Sequence, residues 1–432
     1  MTDLASQARE QQLKFLLISF TDLFGIQRAK LVPAAAIPVM ARDGAGFAGF
    51  AAWLDLSPAD GDVMAIPDAA SLTPLPWQPE VGWVAAELVL AGTPMAQCPR
   101  RLLRRQLERA AALGYELRSG VEAEFFLLDA DGGGIADPAD HQEKPCYDQL
   151  ALMRRYGLIG PLLEAMERLG WGPYQADHED ANGQFEVNWT FAHALTTADR
   201  HAFFKVMVKT LAEQQGLKAS FMAKPFAERT GNGCHTHLSL WAGNTNLFHD
   251  PAGELGLSPL AYQFLAGLVE HAPALCALTN PTVNSYRRLA APPTTSGATW
   301  SPAGISYSGN NRTHMLRIPD DQRLELRLPD GSAHPYLLQA AILAAGLDGI
   351  ERQLEPGPRR DNDNYAQPLR LDQCQRLPAD LGEALDAFAA DTALRQGLGE
   401  EFCRAYEHLR RRQWQRERGD ISEAERRSSL DC

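Results

Sequence analysis

Hydrophobic and polar positions near the start of the chain follow a β-type pattern. Residues 15–32 hold two β-favouring runs separated by the segment from Asp22 to Gly25, which is typical of a β-hairpin. From Pro99 onward the apolar positions recur at helical spacing instead. We therefore predict a small β-rich N-terminal domain over residues 1–98 and a larger domain over residues 99–432.

The larger part of the chain alternates helical periodicity with short strand patterns. Helices are predicted at residues 150–169, 196–215, 258–278 and 335–354. Strands are predicted at residues 121–129, 184–190, 219–224, 234–241 and 322–328. A sheet and helices combined in one large unit indicate the α+β class.

Composition narrows the kinds of partner that the protein can have. The 432 residues include 41 Lys and Arg against 54 Asp and Glu, which gives a net charge of −13. An acidic chain without a dense basic patch argues against nucleic acid or an anionic membrane as the main partner, so we expect small-molecule substrates. The longest apolar runs are far shorter than the ~20 residues of a membrane span. Seven scattered cysteines and the lack of a secretory signal lead us to expect a cytoplasmic location.

Charged and polar side chains fall on single faces of two predicted strands. Glu122 and Glu124 are two residues apart, so on a strand both carboxylates point the same way. A half-buried strand with a solvent-facing glutamate pair gives the same pattern, so this segment alone is a weak signal. The same alternation places His235, His237 and Ser239 on one face, although each histidine alone is more often structural.

Two further segments add carboxylates and arginines. Arg323, Glu325 and Arg327 share one face of a predicted strand, where cross-strand ion pairing is the alternative interpretation. Glu179 and Glu186 flank a turn-forming segment that can bring their carboxylates toward a common point. The inventory as a whole is more informative than any one of its members.

Together these residues suit metal-assisted phosphoryl transfer. Carboxylate oxygens are the ligands of hard divalent ions such as Mg²⁺ or Mn²⁺, and arginines bind phosphate and carboxylate groups. A GxGxxG run at Gly44, Gly46 and Gly49 lacks the strand and helix context of a dinucleotide site, and no Walker loop occurs. One cysteine and two histidines at residues 234–237 make only a weak zinc motif.

Six segments in order along the chain strongly resemble the glutamine synthetase family. They are VEAEFFLLD, HEDANGQFEVN, ASFMAKPFAERTGNGCHTHLSL, TNPTVNSYRRL, NNRTHMLRIP and RLELRLPDGSAHPYL. The resemblance implies an α+β fold with a small N-terminal β-grasp domain and a catalytic domain that has a curved antiparallel sheet with flanking helices. It also implies a ring-shaped homo-oligomer, commonly a dodecamer, in which the N-terminal domain completes the active site of a neighbouring subunit.

The reaction that the resemblance implies is an ATP-dependent ligation of glutamate. ATP phosphorylates the γ-carboxylate, and an amine then displaces phosphate from the acyl phosphate. Two or more Mg²⁺ or Mn²⁺ ions per subunit are implied. The ligands implied for one ion are Glu124, Glu179 and Glu186, and those for the second are Glu122, His235 and Glu325.

The resemblance also assigns the substrate-binding positions. The ATP-binding residues that it implies are His237, Ser239, Arg317 and Arg323. Catalytic arginines on the phosphate groups are Arg312 and Arg317. The glutamate-binding positions are Gly231, Arg288 and Arg327.

Departures from the family pattern concern the amine. Ala48 stands where glutamine synthetases carry the aspartate that attracts and deprotonates ammonium, whereas the second acid of that stretch, Asp62, is kept. The flap between Arg288 and Arg312 usually carries a catalytic glutamate, but here it contains no acidic residue. Thr230 replaces a usual asparagine. Two anions that would hold a small cation are therefore missing together.

These departures favour an acceptor larger than ammonia. The flap residues 293–300 resemble those of γ-glutamylmethylamide synthetases, so we predict methylamine or another small primary amine. The predicted amine pocket contains Ala48, Phe50 and Trp300, although the two aromatic residues could equally pack beneath the flap. Asp62 is the first candidate to take the proton of the amine, and a metal-binding glutamate is the second.

Two other functions stay open at this point. One is an ordinary glutamine synthetase that binds ammonia through Asp62 and backbone carbonyls. The other is a non-catalytic sensor that has kept the fold. The presence of all six predicted metal ligands disfavours the sensor.

Overall fold

The computed structural model of the protein describes residues 3–302, 304–367 and 374–430. Its N-terminal part combines one sheet with two short helices. In chain order the elements are α1 (Leu4–Glu10), β1 (Phe15–Thr21), β2 (Gln27–Pro33), α2 (Ile37–Asp43), β3 (Ala45–Phe47), β4 (Val63–Pro67), β5 (Thr73–Leu75), β6 (Gln78–Leu90) and β7 (Thr93–Pro94).

The first sheet has the strand order β2–β1–β6–β4–β3, with β5 and β7 also paired to β6. Strands β1 and β2 form the predicted hairpin, in which Asp22 Oδ1 accepts hydrogen bonds from the amides of Phe24 and Ile26. Strand β6 runs parallel to β1 and antiparallel to β4. The glycine run at 44–49 follows helix α2 and leads into β3, which is not the strand–turn–helix order of a dinucleotide site.

The remainder of the chain contains most of the helices. In chain order the elements are α3 (Pro99–Ala112), β8 (Glu116–Ala123), β9 (Phe125–Leu128), α4 (Gln149–Arg154), α5 (Tyr156–Arg168), β10 (Pro173–His178), β11 (Gln184–Trp189), β12 (Ala192–His193), α6 (Ala194–Glu213), β13 (Lys218–Ser220), β14 (Cys234–Ala242), β15 (Thr245–Asn246), α7 (Pro259–Glu270), α8 (Ala272–Thr279), α9 (Val283–Leu289), β16 (Tyr307–Ser308), β17 (Leu316–Asp320), β18 (Arg323–Leu326), α10 (Pro335–Glu351), α11 (Leu381–Ala390), α12 (Thr392–Leu398), α13 (Glu400–Gly419) and α14 (Glu423–Ser429). The boundary predicted at residue 98 lies between β7 and α3 and stays a prediction.

Two sheets of this larger part meet at one residue. One sheet has the order β12–β8–β14–β18–β17–β16, and the other has the order β10–β11–β9–β13. Only Glu124 separates β8 from β9, so the chain passes from one sheet into the other there and the strands form a curved surface. The described pairings are antiparallel except that of β16 with β17. The predicted α+β class is confirmed.

Two predicted helices were wrong as continuous elements. The stretch 150–169 is divided into α4 and α5 at Arg155, and the stretch 258–278 is divided into α7 and α8 at His271. The second break has a physical reason, because Pro273 has no amide hydrogen to continue the helical bonding. The predicted helices at 196–215 and 335–354 correspond to α6 and α10.

Helix α10 lies at the centre of the main core and is buried on nearly every side. It packs closely against α7, where a Cβ atom on Gly267 would lie only 2.1 Å from the carbonyl oxygen of Ala345. A Cβ atom on Gly349 of α10 would likewise lie 2.2 Å from the carbonyl oxygen of Gln263, so the two backbones can approach this far only because both positions are glycine. No helix in the described ranges is both long and apolar enough to cross a membrane.

We expect Gly267→Ala to destabilise the fold by roughly 1–3 kcal/mol, because the added methyl group must push α7 away from α10. Thermal unfolding followed by circular dichroism measures the effect. The control is Gly157→Ala in α5, where an added Cβ would meet only Gln215 Oε1, at 4.0 Å. That control should be neutral or stabilising by up to about 1 kcal/mol. Equal melting temperatures for both variants would contradict the proposed close packing.

Candidate active site

Three carboxylates from separate segments come together where the two larger sheets meet. Glu124 lies between β8 and β9, Glu179 follows β10, and Glu186 lies on β11. One oxygen of each lies within 4.8 Å of the others. This is the set that the sequence predicts for one divalent ion, and its role as a metal site stays a prediction. We call these three residues the carboxylate cluster.

Neighbouring amides fix the orientation of the carboxylate cluster. Glu124 Oε2 accepts hydrogen bonds from the Gly233 amide at 2.7 Å and from Gln184 Nε2 at 2.9 Å. Glu186 Oε1 accepts one from Asn188 Nδ2 at 2.8 Å. Hydrogen bonds of this kind hold carboxylates in place for a bound metal ion.

The raised pKa values of the carboxylate cluster favour the binding of a cation. Burial, opposed in part by the Gly233 amide, raises the pKa of Glu124 to about 7. Burial and the negative charges of neighbouring carboxylates raise the pKa values of Glu179 and Glu186 well above their usual range. Three buried groups of like charge ionise together only beside a positive charge. The donor set and its charge therefore fit a hard divalent ion.

A second group of possible ligands lies on neighbouring strands. Across the β8–β14 pairing His235 is opposite Glu122, and across the β14–β18 pairing His237 is opposite Glu325. His235 Nδ1 lies 3.5 Å from Glu122 Oε2 and 3.9 Å from Glu325 Oε1. The structure brings the predicted ligands of the second ion together.

His237 is a possible ligand that the sequence does not predict as one. Its ring forms a ligand group with Glu122 and Glu325, while His235 forms another with Glu122 and Glu186. Burial and the nearby Arg327 lower the pKa of His235 to about 4, which keeps this imidazole neutral, as a metal ligand must be.

Two arginines hold Glu325 in its ionised form. Arg327 Nη1 donates to Glu325 Oε1 at 2.5 Å, and Arg317 Nη1 donates to Glu325 Oε2 at 2.7 Å. Burial opposes ionisation, but the attraction of Arg327 is the main reason why the pKa of Glu325 falls to about 2. The ionised Glu325 therefore positions Arg317 and Arg327, two of the arginines that the sequence predicts for substrate binding.

The predicted glutamate-binding residues lie beside one another. Arg288 is buried and donates to the backbone oxygens of Leu328 and Arg327. A Cβ atom at Gly231 would lie 2.3 Å from the carbonyl oxygen of Ala223 and 3.1 Å from Arg288 Cγ, so only glycine fits there. Within the described ranges Arg327 Nη2 is buried without a hydrogen-bond acceptor. Such a donor suits the carboxylate of a small ligand.

A cavity of about 440 Å³ opens beside Glu122 and His237. It is lined by the predicted ATP-binding residues His237, Ser239 and Arg323. Arg317 lies outside this lining and bonds Asn310 as well as Glu325. Arg312 is exposed, on the loop before β17.

Several residues that line this cavity were not predicted from the sequence. They are Arg118, Tyr174, Phe191 and Trp241. The guanidinium of Arg118 lies 4.3 Å from the centre of the Trp241 ring, and the Phe191 ring lies 6.3 Å from it. Arg118 lies on the same strand face as Glu122, and Trp241 lies on the same face as Ser239. Extending the alternation by four residues from Glu122 and by two from Ser239 would have found them.

The predicted amine residues occupy two separate regions. Asp62, Ala48 and Phe50 are exposed on the N-terminal part, and none of the hydrogen bonds among the described residues joins them to the carboxylate cluster. Trp300 is half-buried in the flap, and its carbonyl oxygen accepts a hydrogen bond from Arg288 Nη2 at 3.4 Å. The contacts of the described residues therefore do not join the three residues predicted for the amine pocket within one chain.

Comparison with known proteins agrees with this geometry. The family model described as "Glutamine synthetase, catalytic domain" matches residues 96–429. The chain belongs to the glutamine synthetase family. The predicted family and fold are confirmed, and so is the prediction of an ATP-dependent ligase that forms a carbon–nitrogen bond. The family depends on ATP and divalent metal ions, uses small-molecule substrates and forms homo-oligomers.

Individual relatives carry two different names. A glutamine synthetase of Rhizobium leguminosarum bv. phaseoli is 54% identical over 431 residues, which cover 99% of each chain. A glutamate–methylamine ligase of Methyloversatilis universalis is 44% identical, covering 98% of this chain and 97% of that protein. The solved structure called GmaS/ADP complex is 60% identical, covers 100% of both chains and superposes with a TM-score of 0.96.

We expect Glu186→Gln to weaken Mn²⁺ binding by at least about tenfold, because the ion loses one of three negative ligands. Titration of the metal-free protein, with free Mn²⁺ followed by electron paramagnetic resonance, measures the affinity. Lowering the pH from 8 to 6 should also weaken binding, since protons compete for Glu124, whose pKa is about 7. The control is Glu167→Gln on the exposed face of α5. Unchanged affinity in Glu186→Gln would contradict the site.

Proposed function

We propose that the protein joins glutamate to methylamine in an ATP-dependent reaction that gives a γ-glutamyl amide. The observation that carries this proposal is the composition of the flap, which has no acidic residue between Arg288 and Arg312 although the carboxylate cluster is intact. The similarity to a glutamate–methylamine ligase and to GmaS supports the same substrate.

The roles proposed for the metal-binding residues follow from their chemistry. Two or more Mg²⁺ or Mn²⁺ ions would be held by the carboxylate cluster and by Glu122, His235 and Glu325. When bound, such ions neutralise the charge of the transferring phosphoryl group. Asn188, Gln184 and the Gly233 amide keep the carboxylates aimed at one point.

The arginines of this chain bind the two substrates. Arg327 offers the unpaired Nη2 to the glutamate carboxylate, with Arg288 buried alongside it. Arg312 and Arg317 stabilise the negative oxygens of the phosphoryl group as it moves to the γ-carboxylate. His237, Ser239 and Arg323 line the cavity that would receive ATP.

The last step needs a group that takes the proton of the amine. Asp62 is the candidate, and it is exposed on the N-terminal part together with Ala48 and Phe50. We propose that these residues complete the site of a neighbouring subunit in a ring-shaped oligomer, a dodecamer in the family pattern. Their exposure to solvent supports this arrangement. A cytoplasmic location also stays a prediction.

Ammonia is the second candidate acceptor. The 54% identity to a protein named glutamine synthetase favours it. The absence of acidic residues from the flap argues against it, because an ammonium ion has four N–H groups that need acceptors when buried.

We expect methylamine to react with a kcat/KM at least about tenfold above that for ammonia, since one extra methyl group in a fitted pocket gives discrimination of this order. Glutamate-dependent ADP release with each amine measures it. Comparable turnover with ammonia would support the glutamine synthetase alternative instead. No ADP release with any amine would support a non-catalytic sensor.

Ala48→Asp should move the preference toward ammonia, because the added carboxylate accepts an N–H of ammonium where the methyl group of methylamine lies. The same assay measures the ratio of the two kcat/KM values. A matched control is Ala59→Asp, which adds the same charge at an exposed position of the same part of the chain. An unchanged ratio in Ala48→Asp would show that residue 48 does not contact the amine.

Phe191→Ala should raise the KM for ATP by about tenfold and leave the KM for glutamate unchanged. The reason is that we propose stacking of the adenine base on the Phe191 ring, and stacking of a base on an aromatic side chain contributes about 1–3 kcal/mol. Phe191 is 49% exposed and lines the cavity, so its removal does not disturb the core. Steady-state kinetics with either substrate varied give both constants. Tyr156→Ala, which removes an aromatic side chain that is 58% exposed on α5, is the control. An unchanged KM for ATP in Phe191→Ala would place the base elsewhere.

A further inference from the structure

Three hydroxyl groups converge on one carboxylate oxygen beside the carboxylate cluster. The side chains of Thr230, Thr294 and Ser296 donate to Asp180 Oδ2 at 2.8, 2.8 and 3.1 Å. Asp180 follows Glu179 directly in the chain and is only 5% exposed. The three donors are therefore gathered around a carboxylate oxygen of a residue that the surrounding protein shields from water.

These hydroxyls come from two parts of the molecule that must meet in the reaction. Thr230 precedes Gly231, a proposed glutamate-binding position. Thr294 and Ser296 belong to residues 290–302 of the flap, which lie between helix α9 and strand β16. Asp180 therefore joins the flap to the loop that would hold glutamate.

The flap presents its hydroxyls from a closed turn. The Gly297 amide donates to the Thr294 carbonyl oxygen at 2.9 Å, and the Thr294 amide donates to the Ala298 carbonyl oxygen at 3.0 Å. Gly297 has a φ of 84°, a conformation that favours glycine. Because the turn is held by its own backbone, its hydroxyls are prearranged to bind the carboxylate.

The acceptor makes this contact stronger than an ordinary loop contact. Hydrogen bonds to a carboxylate oxygen are roughly twice as strong as those between neutral groups. The flap has no acidic residue that could reach back to the rest of the protein. Its hydroxyl groups therefore bind a carboxylate supplied from outside the flap.

We infer that Asp180 is a positioning residue that holds the flap closed and thereby keeps water from the acyl phosphate until the amine attacks. The inference rests on the proposed function, because only an acyl phosphate gives the flap something to protect. Without the contact the acyl phosphate is lost to water, and ATP is consumed without amide formation. Asp180 acts through the flap and takes no part in the bond changes.

The test separates the hydroxyl contacts from general damage to the flap. In the double variant Thr294→Val, Ser296→Ala, we expect the amide formed per ADP to fall from about one to below about one half. Glutamate-dependent ADP release without amine should rise severalfold. Thr294→Ser keeps the hydroxyl and should behave like wild type. Thr295→Val, at an exposed neighbour for which the described contacts include no hydrogen bond, should also keep full coupling. Unchanged coupling in the double variant would overturn the inference.

A second measurement does not depend on the reaction. Hydrogen–deuterium exchange of the flap in Asp180→Ala should be at least about tenfold faster than in wild type, with the helix α10 peptides unchanged as an internal reference. Wild-type exchange rates in the flap would overturn the inference even if the ligase activity is as proposed. If the flap exchanges faster in Asp180→Ala but the wild-type protein forms no amide with any amine, the flap contact is supported and the proposed function is refuted.

Discussion

Like charges held together in a protein interior need a counter-charge. The carboxylate cluster is such a group, and the rest of the fold holds its three residues in place. Two unit charges 4 Å apart repel by about 4 kcal/mol at an effective dielectric constant of 20. The raised pKa values of Glu124, Glu179 and Glu186 express this repulsion together with the cost of burial. A divalent ion reverses the balance, because each carboxylate then faces a double positive charge. The fold must therefore hold three distant segments at fixed distances.

The curved surface formed by two sheets meets this requirement. Because Glu124 is the single residue between β8 and β9, its backbone belongs to neither ladder and its amide bonds the Gly233 carbonyl oxygen instead. Its side chain can then face the carboxylates that arrive with β10 and β11. On the preceding strand, Val121 and Ala123 pack into the core, while Glu122 faces the cavity. The same strand thus supplies core on one side and ligands on the other.

Alternation along strands explains what the sequence predicted well. It placed Glu122, His235 and Glu325 each on the polar face of its own strand, and the structure brings these faces together because neighbouring strands align them. Both groups of three ligands came from the family resemblance, because periodicity within one strand does not show which strands are neighbours. Contacts between loops could not be predicted for the same reason.

Asp180 shows that limit clearly. It lies 50 residues from Thr230 and 114 from Thr294, and all three are loop residues whose positions only the tertiary fold defines. The residues proposed to complete a neighbouring subunit's site are a different case. Ala48 and Asp62 are exposed in a single chain, and the contacts proposed for them lie between subunits, which one chain does not contain.

The flap is held by hydroxyl groups and contains no acidic residue of its own, and this composition affects which amine the proposed site would prefer. Methylammonium and ammonium carry the same charge, so losing an anion weakens the attraction for both. They differ in the number of N–H groups, because methylammonium has three and ammonium has four. In the proposed amine pocket, Ala48 in place of an aspartate would leave one N–H of buried ammonium without an acceptor, at a cost of about 1–3 kcal/mol. The methyl group of methylamine would instead gain about 0.8 kcal/mol from burial. In the proposed function, the two effects together amount to roughly two orders of magnitude in favour of methylamine.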